Sequence, residues 1–427
     1  MFNTNKLRVW ATKAGVLGMF HYLHTQHYFK EMNKRYQRYK ETGEIPIPER
    51  FIFDLTFKCN LHCKMCYINF PSMWKKKTIE GTMELTTEQI KKVFDKIPKI
   101  THITLIGGEI FARQDIFEIL DYFQGREALV RLSTNLTMLN DEKIEKLKTY
   151  KNIEAIGTSI DGDREIHNDI RDPKQRKAFD QTIDTIKKLK DHFFVGVLSV
   201  VLDDNLEDLP KVVRIAKDAG AHIVTFEYER RYTQESIQQS ADYLGFKPED
   251  FPLMQVEQLL PRRPHEDFQK AVERVVKMGE ELSMPIGFLP LLFKENLERY
   301  FYRNLDTEHF CKQLFIGRVD AQGNVVHCFA IRKPFGNLLL QSYEEIWNSP
   351  AYKAFRQKMD GVILPVCATC EKLVECRGGE QIKAFGEINN GVMNGNLVNG
   401  GQKKNMEFAE PLQIIPPRPG RVHNLPE

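Results

Sequence analysis

Eight cysteines are the residues of this chain best suited to bind a metal, and they fall into two groups. Cys59, Cys63 and Cys66 follow one another closely, directly after an apolar segment. The other five lie in the last third of the chain, and none occurs between residues 67 and 310. Closely spaced cysteines in a protein that is not secreted indicate metal ligands rather than disulfides. Both groups are therefore expected to bind metal.

The spacing of the first group favours an iron–sulfur cluster over a structural zinc site. A structural zinc ion takes four ligands, and His62 is the only nearby side chain that offers a fourth. A cubane cluster held by three thiolates instead keeps one iron open for a substrate or a cofactor. Zinc stays an alternative for the second group, because Cys311, Cys328, Cys367 and Cys370 would make a four-cysteine site.

Length, charge and hydrophobic content limit the classes of protein to which this chain can belong. A chain of 427 residues with 42% hydrophobic content is long enough for one large domain and a smaller one. There are 61 Lys and Arg against 58 Asp and Glu, a formal net charge of +3, which argues against a dedicated nucleic-acid-binding protein. The sequence contains no apolar run of membrane-spanning length, and we expect no signal peptide, because its first 20 residues lack a sustained apolar stretch. A cytoplasmic location is expected.

The elements that position the first cysteines follow a regular alternation from residue 51 to about 230. Apolar segments of strand length, such as FIFDLTF and HITLIGGE, alternate with amphipathic helices such as TTEQIKKVFDKI. Apolar strands that alternate with helices predict a parallel sheet. About six such units predict an α/β fold with a closed or a partial (β/α)6 barrel of the TIM type, whose chemistry lies at the carboxyl ends of the strands.

The chain outside this alternation divides by composition. The first segment is basic and aromatic, and Gly43 ends its helical pattern. We expect it to pack on the main domain, and peripheral contact with a membrane or a partner is the alternative. The predicted segments are the helical extension 1–50, the barrel core 51–230, the connector 231–304 that completes the barrel and carries a helix around 266–282, the cysteine-bearing domain 305–385, and the flexible Asn/Gly-rich tail 386–427.

The first cysteine group carries a family resemblance. CNLHCKMCY matches the CxxxCxxC motif, and the chain resembles the radical S-adenosylmethionine (SAM) superfamily over residues 51–230. The resemblance implies a catalytic [4Fe-4S] cluster on Cys59, Cys63 and Cys66, SAM on its open iron, and Tyr67 in the cofactor site. In that family an external donor such as flavodoxin or ferredoxin supplies an electron. SAM is then cleaved, and the 5′-deoxyadenosyl radical abstracts a substrate hydrogen.

Three further motifs at strand ends agree with this resemblance. GGE ends the second strand, STN ends the third, and SIDG ends the fourth before His167. Bare glycines let the backbone approach a ligand closely, and a carboxylate offsets an ammonium group. The STN motif departs from the family's STNG, because Leu136 stands in the place of glycine. The implied SAM-binding residues are Gly107, Gly108, Glu109, Ser133, Asn135, Ser159, Asp161 and Arg171, with Asn205 and Glu227 as further candidates at later strand ends.

The second cysteine group resembles the SPASM-type extension of radical SAM enzymes. VDAQGNVV predicts a hairpin with a turn at Gly323, which presents Cys328 after its second strand. The family usually has a further cysteine where this chain has Glu380, so two complete all-cysteine cubanes are impossible. The resemblance implies one auxiliary iron–sulfur cluster, or two with non-cysteine ligands or an open iron, drawn from Cys311, Cys328, Cys367, Cys370 and Cys376.

The resemblance also sets the expected function. SPASM-bearing relatives mostly modify peptides or proteins by oxidation, crosslinking or epimerisation, so a peptide or protein is the expected substrate. One alternative is radical modification of a lipid or another small molecule at a membrane surface, through residues 1–50. An alternative of another class is a non-catalytic iron–sulfur electron carrier, which needs no cofactor pocket. Nucleic acid is not an expected partner.

Overall fold

The computed structural model of the protein describes part of the chain, and the fold is stated for that part. The described residues are 31, 34–66, 68, 84–230, 232–253, 255, 263–289, 311–359 and 364–367. The predictions made for Tyr67, Cys370, Cys376, residues 1–30 and the tail 386–427 lie outside them.

One sheet organises the molecule, and ten strands are found in the described residues. Their apolar side chains are buried on both faces, as expected of a parallel sheet covered by helices. The strands are β1 (Arg50–Thr56), β2 (His102–Gly107), β3 (Leu129–Ser133), β4 (Ile153–Ser159), β5 (Phe194–Val201), β6 (Ile223–Tyr228), β7 (Ile286–Leu289), β8 (Gly317–Val319), β9 (Asn324–Val326) and β10 (Gly336–Asn337).

The helices between the strands begin and end at residues whose side chains favour those positions. Thr86 forms a capping box with Gln89, and Asn140 accepts a hydrogen bond from the backbone of Lys143. Gly220 ends its helix in the left-handed region at φ 89°. The helices are α1 (Thr87–Asp95), α2 (Ile116–Gly125), α3 (Asp141–Lys148), α4 (Arg164–Arg171), α5 (Ala178–Leu189), α6 (Leu209–Ala219), α7 (Gln234–Leu244), α8 (His265–Glu281), α9 (Tyr343–Trp347) and α10 (Pro350–Lys358).

The predicted α/β fold with a partial barrel is confirmed. Strands β1 to β7 lie in chain order and pair in parallel, so their carboxyl ends meet at one edge. Strand β7 adds a parallel strand from the segment 231–304, and α8 lies where a helix was predicted. The described part of this segment shows no regular βα alternation, which agrees with a sequence pattern that indicated only a connector.

The cysteine-bearing C-terminal segment joins the same sheet. Strand β8 pairs in parallel with β1, and β9 pairs antiparallel with β8 and with β10. The predicted hairpin is therefore confirmed, and its turn contains Gly323 at φ 82°. Two buried arginines, Arg318 and Arg332, hydrogen-bond to Asp54 of β1 and fasten the hairpin segment to the barrel.

The end of the N-terminal extension packs on the main body. Residues 34–42 are helical, and Tyr39 is buried in the core. Just beyond the helix, the carbonyl oxygen of Ile45 accepts a hydrogen bond from Trp347 Nε1 at 3.0 Å. These contacts agree with the packing interpretation for this part of the extension. Across the described residues, none of the helices combines the length and apolarity that crossing a membrane requires.

Candidate iron–sulfur and cofactor site

A cavity of about 250 Å³ lies at the carboxyl-end edge of the parallel strands and gathers most of the predicted site residues. Its walls come from the ends of β1 to β6 and from the loops that follow them. The sequence-predicted residues that line it are Cys59, Cys63, Cys66, Gly107, Gly108, Ser133, Asn135, Ser159 and Arg171.

The cysteine loop is held by the end of helix α4. The amide of Lys64 donates to the carbonyl oxygen of Ile170 at 3.0 Å, and that of His62 donates to Arg171 at 3.3 Å. The last carbonyl groups of a helix have no partner within the helix, so the loop supplies the donors they need. The loop therefore occupies a fixed place between β1 and α4.

The thiols occupy surroundings that change their acidity. Burial raises the pKa of Cys59 to about 12, although its sulfur accepts a hydrogen bond from the Leu61 amide at 3.4 Å. Burial also raises the pKa of Cys63, and the nearby Arg171 opposes that shift. A bound metal cation deprotonates a coordinating thiol outright, so these thiols are suited to a metal and poorly suited to act as free nucleophiles.

The spread of the three thiols distinguishes a cluster from a single ion. Among the described residues, no three His, Cys, Asp or Glu side chains converge as ligands of one metal ion. Cys59, Cys63 and Cys66 nevertheless line one cavity. A tetrahedral zinc ion needs convergent ligands, whereas a cubane takes each thiolate on a different iron and so accepts wider spacing. The three thiols therefore fit a cubane cluster, which takes one thiolate on each of three irons.

The two glycines of GGE let two backbone segments meet. A side chain at Gly107 would place its Cβ 2.3 Å from the Thr56 carbonyl oxygen, and one at Gly108 would lie 2.1 Å from that of Lys58. The Gly108 amide donates to Thr56, and the Glu109 amide donates to Lys58, both at 2.8 Å. The sequence predicted close approach to a ligand, and what the structure shows is that these glycines approach the base of the cysteine loop.

Glu109 lies behind the cavity wall. Its fully buried carboxylate accepts hydrogen bonds from the Asn135 amide and the Thr134 hydroxyl, both at 2.7 Å, and from the Phe111 amide at 3.0 Å. Burial raises the pKa of Glu109, and these hydrogen bonds oppose the shift. The carboxylate thus fixes the STN segment that lines the cavity. Thr134 also lines it, and its place inside the motif was the only sequence signal for it.

Asp161 likewise acts from behind the wall. Its buried carboxylate forms an ion pair with Arg171, the cavity residue beside Cys63. Asn205 donates to the Asp161 carbonyl oxygen at 2.8 Å. The Asp161 amide donates to His167 Nδ1, and burial lowers the pKa of His167 to about 4. The SIDG segment and its histidine therefore orient Arg171 toward the cavity.

The opposite wall contains residues that sequence reasoning largely missed. Glu227, a further candidate at the end of β6, forms an ion pair with Arg230. The Arg230 guanidinium carbon lies 4.0 Å from the centroid of the Phe329 ring. Phe329 directly follows Cys328, so the C-terminal segment contributes a side chain to the cavity. The cavity-lining residues without a motif signal are Leu198, Val200, Tyr228, Glu229, Arg230, Tyr232, Leu253 and Phe329.

Three cysteines of the second group are described, and they lie on separate pieces of chain. The Cys328 thiol is buried, and the Ile331 amide donates to its sulfur at 3.3 Å. The Cys311 sulfur lies 3.5 Å from His327 Nε2. Cys367 ends a short 3-10 turn. Burial, with Arg356 and Arg318 nearby, lowers the pKa of His327 to about 3.

A buried charge network joins the two regions. Arg318 Nη2 lies 2.6 Å from Asp54 Oδ1, and Arg332 contacts both Asp54 and Asp320. Burial by itself would raise the pKa of Asp54, but the two arginines outweigh it and hold the pKa at about 2. Because Asp54 belongs to β1, the network connects the strand that carries Cys59 to the C-terminal hairpin.

Two family models match the chain in the regions of the two cysteine groups. Residues 54–216 match the model described as the radical SAM superfamily. Residues 311–371 match SPASM, described as an iron–sulfur cluster-binding domain. A radical SAM domain implies a [4Fe-4S] cluster and SAM, and a SPASM domain implies auxiliary iron–sulfur clusters.

Relatives of known name are similar over most of the chain. The antilisterial bacteriocin subtilosin biosynthesis protein AlbA of Bacillus subtilis is 29% identical over 315 residues, 72% of this chain and 61% of AlbA, so the match spans less than two thirds of that relative. The AdoMet-dependent heme synthase of Methanosarcina barkeri is 29% identical over 343 residues, 78% of this chain and 90% of the synthase.

A solved structure shares the fold. The crystal structure of Streptococcus suis SuiB bound to the precursor peptide SuiA has a TM-score of 0.52 and 13% identity, and it covers 83% of this chain and 76% of SuiB. This likeness agrees with the barrel and the hairpin described above. Both family models match in the order that the cysteine groups predicted, so the chain contains a radical SAM domain at residues 54–216 and a SPASM domain at residues 311–371.

Proposed function

We propose that this protein is a radical SAM enzyme that modifies a peptide or a protein by oxidation, crosslinking or epimerisation. The observation that carries the proposal is the single cavity that combines three thiols with polar groups able to hold SAM. An electron carrier needs no such cavity, which argues against that alternative. The site residues named below are part of the proposal.

Five of the lining residues have roles that follow from their chemistry. When bound, the cluster supplies the electron that cleaves SAM to a 5′-deoxyadenosyl radical, which takes a hydrogen atom from the substrate. Arg171, beside Cys63, offers a cation to the SAM carboxylate. The peptide groups of Gly107 and Gly108 are bare enough for the methionine amino group to approach. Ser133 and Ser159 offer hydroxyl groups to the ribose.

The substrate class rests on the relatives. AlbA is named for the biosynthesis of a bacteriocin, and SuiB was crystallised with a precursor peptide. The heme synthase supports the alternative of a small-molecule substrate, because it is equally identical to this chain. We favour a peptide, since the SPASM domain is shared with enzymes of peptide maturation.

Three further parts of the proposal concern partners and location. The electron donor is an external protein such as flavodoxin or ferredoxin. The enzyme acts in the cytoplasm, and the basic residues 1–50 are the candidate for peripheral membrane contact. Sedimentation of the full chain with anionic phosphatidylserine liposomes, compared with neutral ones, tests that contact.

The first experiment measures iron, sulfide and 5′-deoxyadenosine in anaerobically reconstituted protein with SAM and dithionite. About eight irons and release of 5′-deoxyadenosine are expected, and zinc in place of iron would overturn the proposal. The substrate class is then tested with peptides from cells grown in deuterated medium and, separately, with deuterated iron-coproporphyrin III. Deuterium transfer to 5′-deoxyadenosine from the peptides supports the proposal, and transfer from the porphyrin alone contradicts it.

A further inference from the structure

His327 contacts one cysteine of the second group and directly precedes another in the chain. It directly precedes Cys328, and its Nε2 is 3.5 Å from the Cys311 sulfur. The side chain is 1% exposed, and its ring meets the ring of Phe355 edge-on at 4.8 Å between centroids. The imidazole is therefore held rigidly against the sulfur of Cys311.

The surroundings decide which ring nitrogen carries the proton. Of the two ring nitrogens, Nε2 faces the sulfur of Cys311. Nδ1 has no hydrogen-bond partner among the described residues. A buried N–H group without an acceptor is rarer and costs more than an acceptor without a donor. The proton therefore belongs on Nε2, the nitrogen that faces Cys311.

This protonation state makes His327 a donor rather than a metal ligand. A ligating Nε2 would need its lone pair free, and the proton would move to Nδ1, where the described residues provide no acceptor. Ligating histidines almost always donate their other N–H to a carboxylate, a carbonyl or water. With the proton on Nε2, the ring instead donates to the sulfur of Cys311, and a thiolate is the better acceptor.

We propose that His327 is a positioning residue of the C-terminal iron–sulfur centre, which donates an Nε2–H hydrogen bond to the Cys311 thiolate and thereby raises the reduction potential of that centre. The inference rests on the proposed function, because it takes Cys311 as a cluster ligand. Hydrogen bonds to cluster sulfurs tune the potential, since they stabilise the more negative reduced state. The backbone amide of Ile331 donates a hydrogen bond to the sulfur of Cys328, and a side-chain substitution does not remove this bond.

Two variants of the full chain separate donation from packing. His327→Phe keeps an aromatic ring against Phe355 and removes the N–H group, whereas His327→Gln places an amide N–H near the position of Nε2. Both are made in a Cys59/Cys63/Cys66→Ala background, where only C-terminal clusters remain. Iron content and an EPR-monitored potentiometric titration are measured after anaerobic reconstitution.

The expected result is unchanged iron in both variants, a more negative reduction potential in His327→Phe, and a potential close to that of the parent in His327→Gln. An unchanged potential in His327→Phe would overturn the inference. So would ¹⁴N hyperfine coupling from an iron-bound imidazole in the parent, lost together with iron in His327→Phe. If His327→Phe does not fold, His327→Met replaces it. Absence of any iron–sulfur signal in the parent would contradict the auxiliary cluster itself, a distinguishable failure.

Discussion

The two cysteine groups are built in opposite ways. Cys59, Cys63 and Cys66 come from one loop, and all three line a cavity that a small molecule can enter. Cys311 and Cys328 come from either side of a hairpin and lie beside packed aromatic side chains, among them Tyr352 and Phe355. The difference suits an open reactive centre at the first group and a shielded supporting centre at the second.

The two regions also use buried carboxylates differently. Around the cavity, Glu109 and Asp161 each sit behind a wall residue and fix its direction. At the junction with the C-terminal segment, Asp54 binds two arginines that never reach the cavity. We therefore expect substitutions behind the cavity to change catalysis, and substitutions at the junction to change stability.

The largest effect is expected when the cysteines of the open centre, the first group, are replaced. Replacing Cys59, Cys63 and Cys66 by Ala should abolish 5′-deoxyadenosine release and remove about four irons, because the SAM-binding cluster is lost. The matched control, Cys328→Ser, should keep SAM cleavage and stop substrate turnover. Iron analysis and chromatography of 5′-deoxyadenosine measure both. Cleavage that survives the triple replacement would show that the open centre lies elsewhere.

The junction is tested by Asp54→Asn. Loss of the carboxylate leaves two arginines buried beside Asp320 alone, and breaking a buried pair costs about 3–5 kcal/mol of unfolding free energy. Denaturant unfolding of reconstituted protein measures the loss. Asp95→Asn is the control, because its exposed pair with Arg126 should be worth at most about 1 kcal/mol. Equal losses in the two variants would contradict a structural role for the network.

The pH dependence of the same network has a definite sign. The pKa of Asp54 is held at about 2, below its ordinary value of 3.8. A depressed folded-state pKa contributes stability that is fully present above the unfolded-state value and is lost as the pH falls toward the folded-state value. The difference in stability between the wild type and Asp54→Asn should therefore be constant near neutrality and shrink between about pH 4 and pH 2.

Orientation behind the cavity is tested by Asp161→Asn. The substitution removes the charge that orients Arg171, so SAM cleavage should fall about 10- to 100-fold, as is typical for partners that hold a site residue. The KM for SAM should rise as well, while iron content changes little; some stability should also be lost, because Asp161 and Arg171 form a buried pair. Asp169→Asn on the same helix α4 is the control, because Asp169 is exposed and pairs with Arg176. If Asp161→Asn cleaved SAM as fast as Asp169→Asn does, Asp161 would not be needed to orient Arg171.

The sequence predicted the site residues that belong to short motifs or lie at the ends of predicted strands. The cysteine spacing, the strand alternation and the motifs at strand ends are short-range signals, and they led to ten of the residues that line the cavity, Glu227 among them. Arg230 and Phe329 come together across 99 positions of chain, and the partners of Asp54 lie more than 260 residues away. Such pairs leave no periodic pattern, and only the tertiary structure reveals them.

The departure from the family's STNG motif offers the finest test of the open site. Leu136 stands in the place of glycine, it is fully buried, and its φ of 64° lies in the left-handed region. The chain therefore accepts backbone strain there and gains a buried side chain. Leu136→Ala should lose about 2–5 kcal/mol of stability, because it removes the packing and keeps the strain.

Leu136→Gly should be the more stable of the two variants, by about 1 kcal/mol, because glycine also relieves the left-handed strain. Thermal midpoints under anaerobic conditions measure the difference, and the Thr182 hydroxyl bond to the Asn135 carbonyl oxygen, 2.9 Å long, should hold the loop in both variants. If Leu136→Ala had the higher thermal midpoint, alanine would not be strained at this position. Neither variant changes the cysteine loop. The rate of 5′-deoxyadenosine release should therefore stay within a few fold of the wild type, which corresponds to about 1 kcal/mol in the activation free energy.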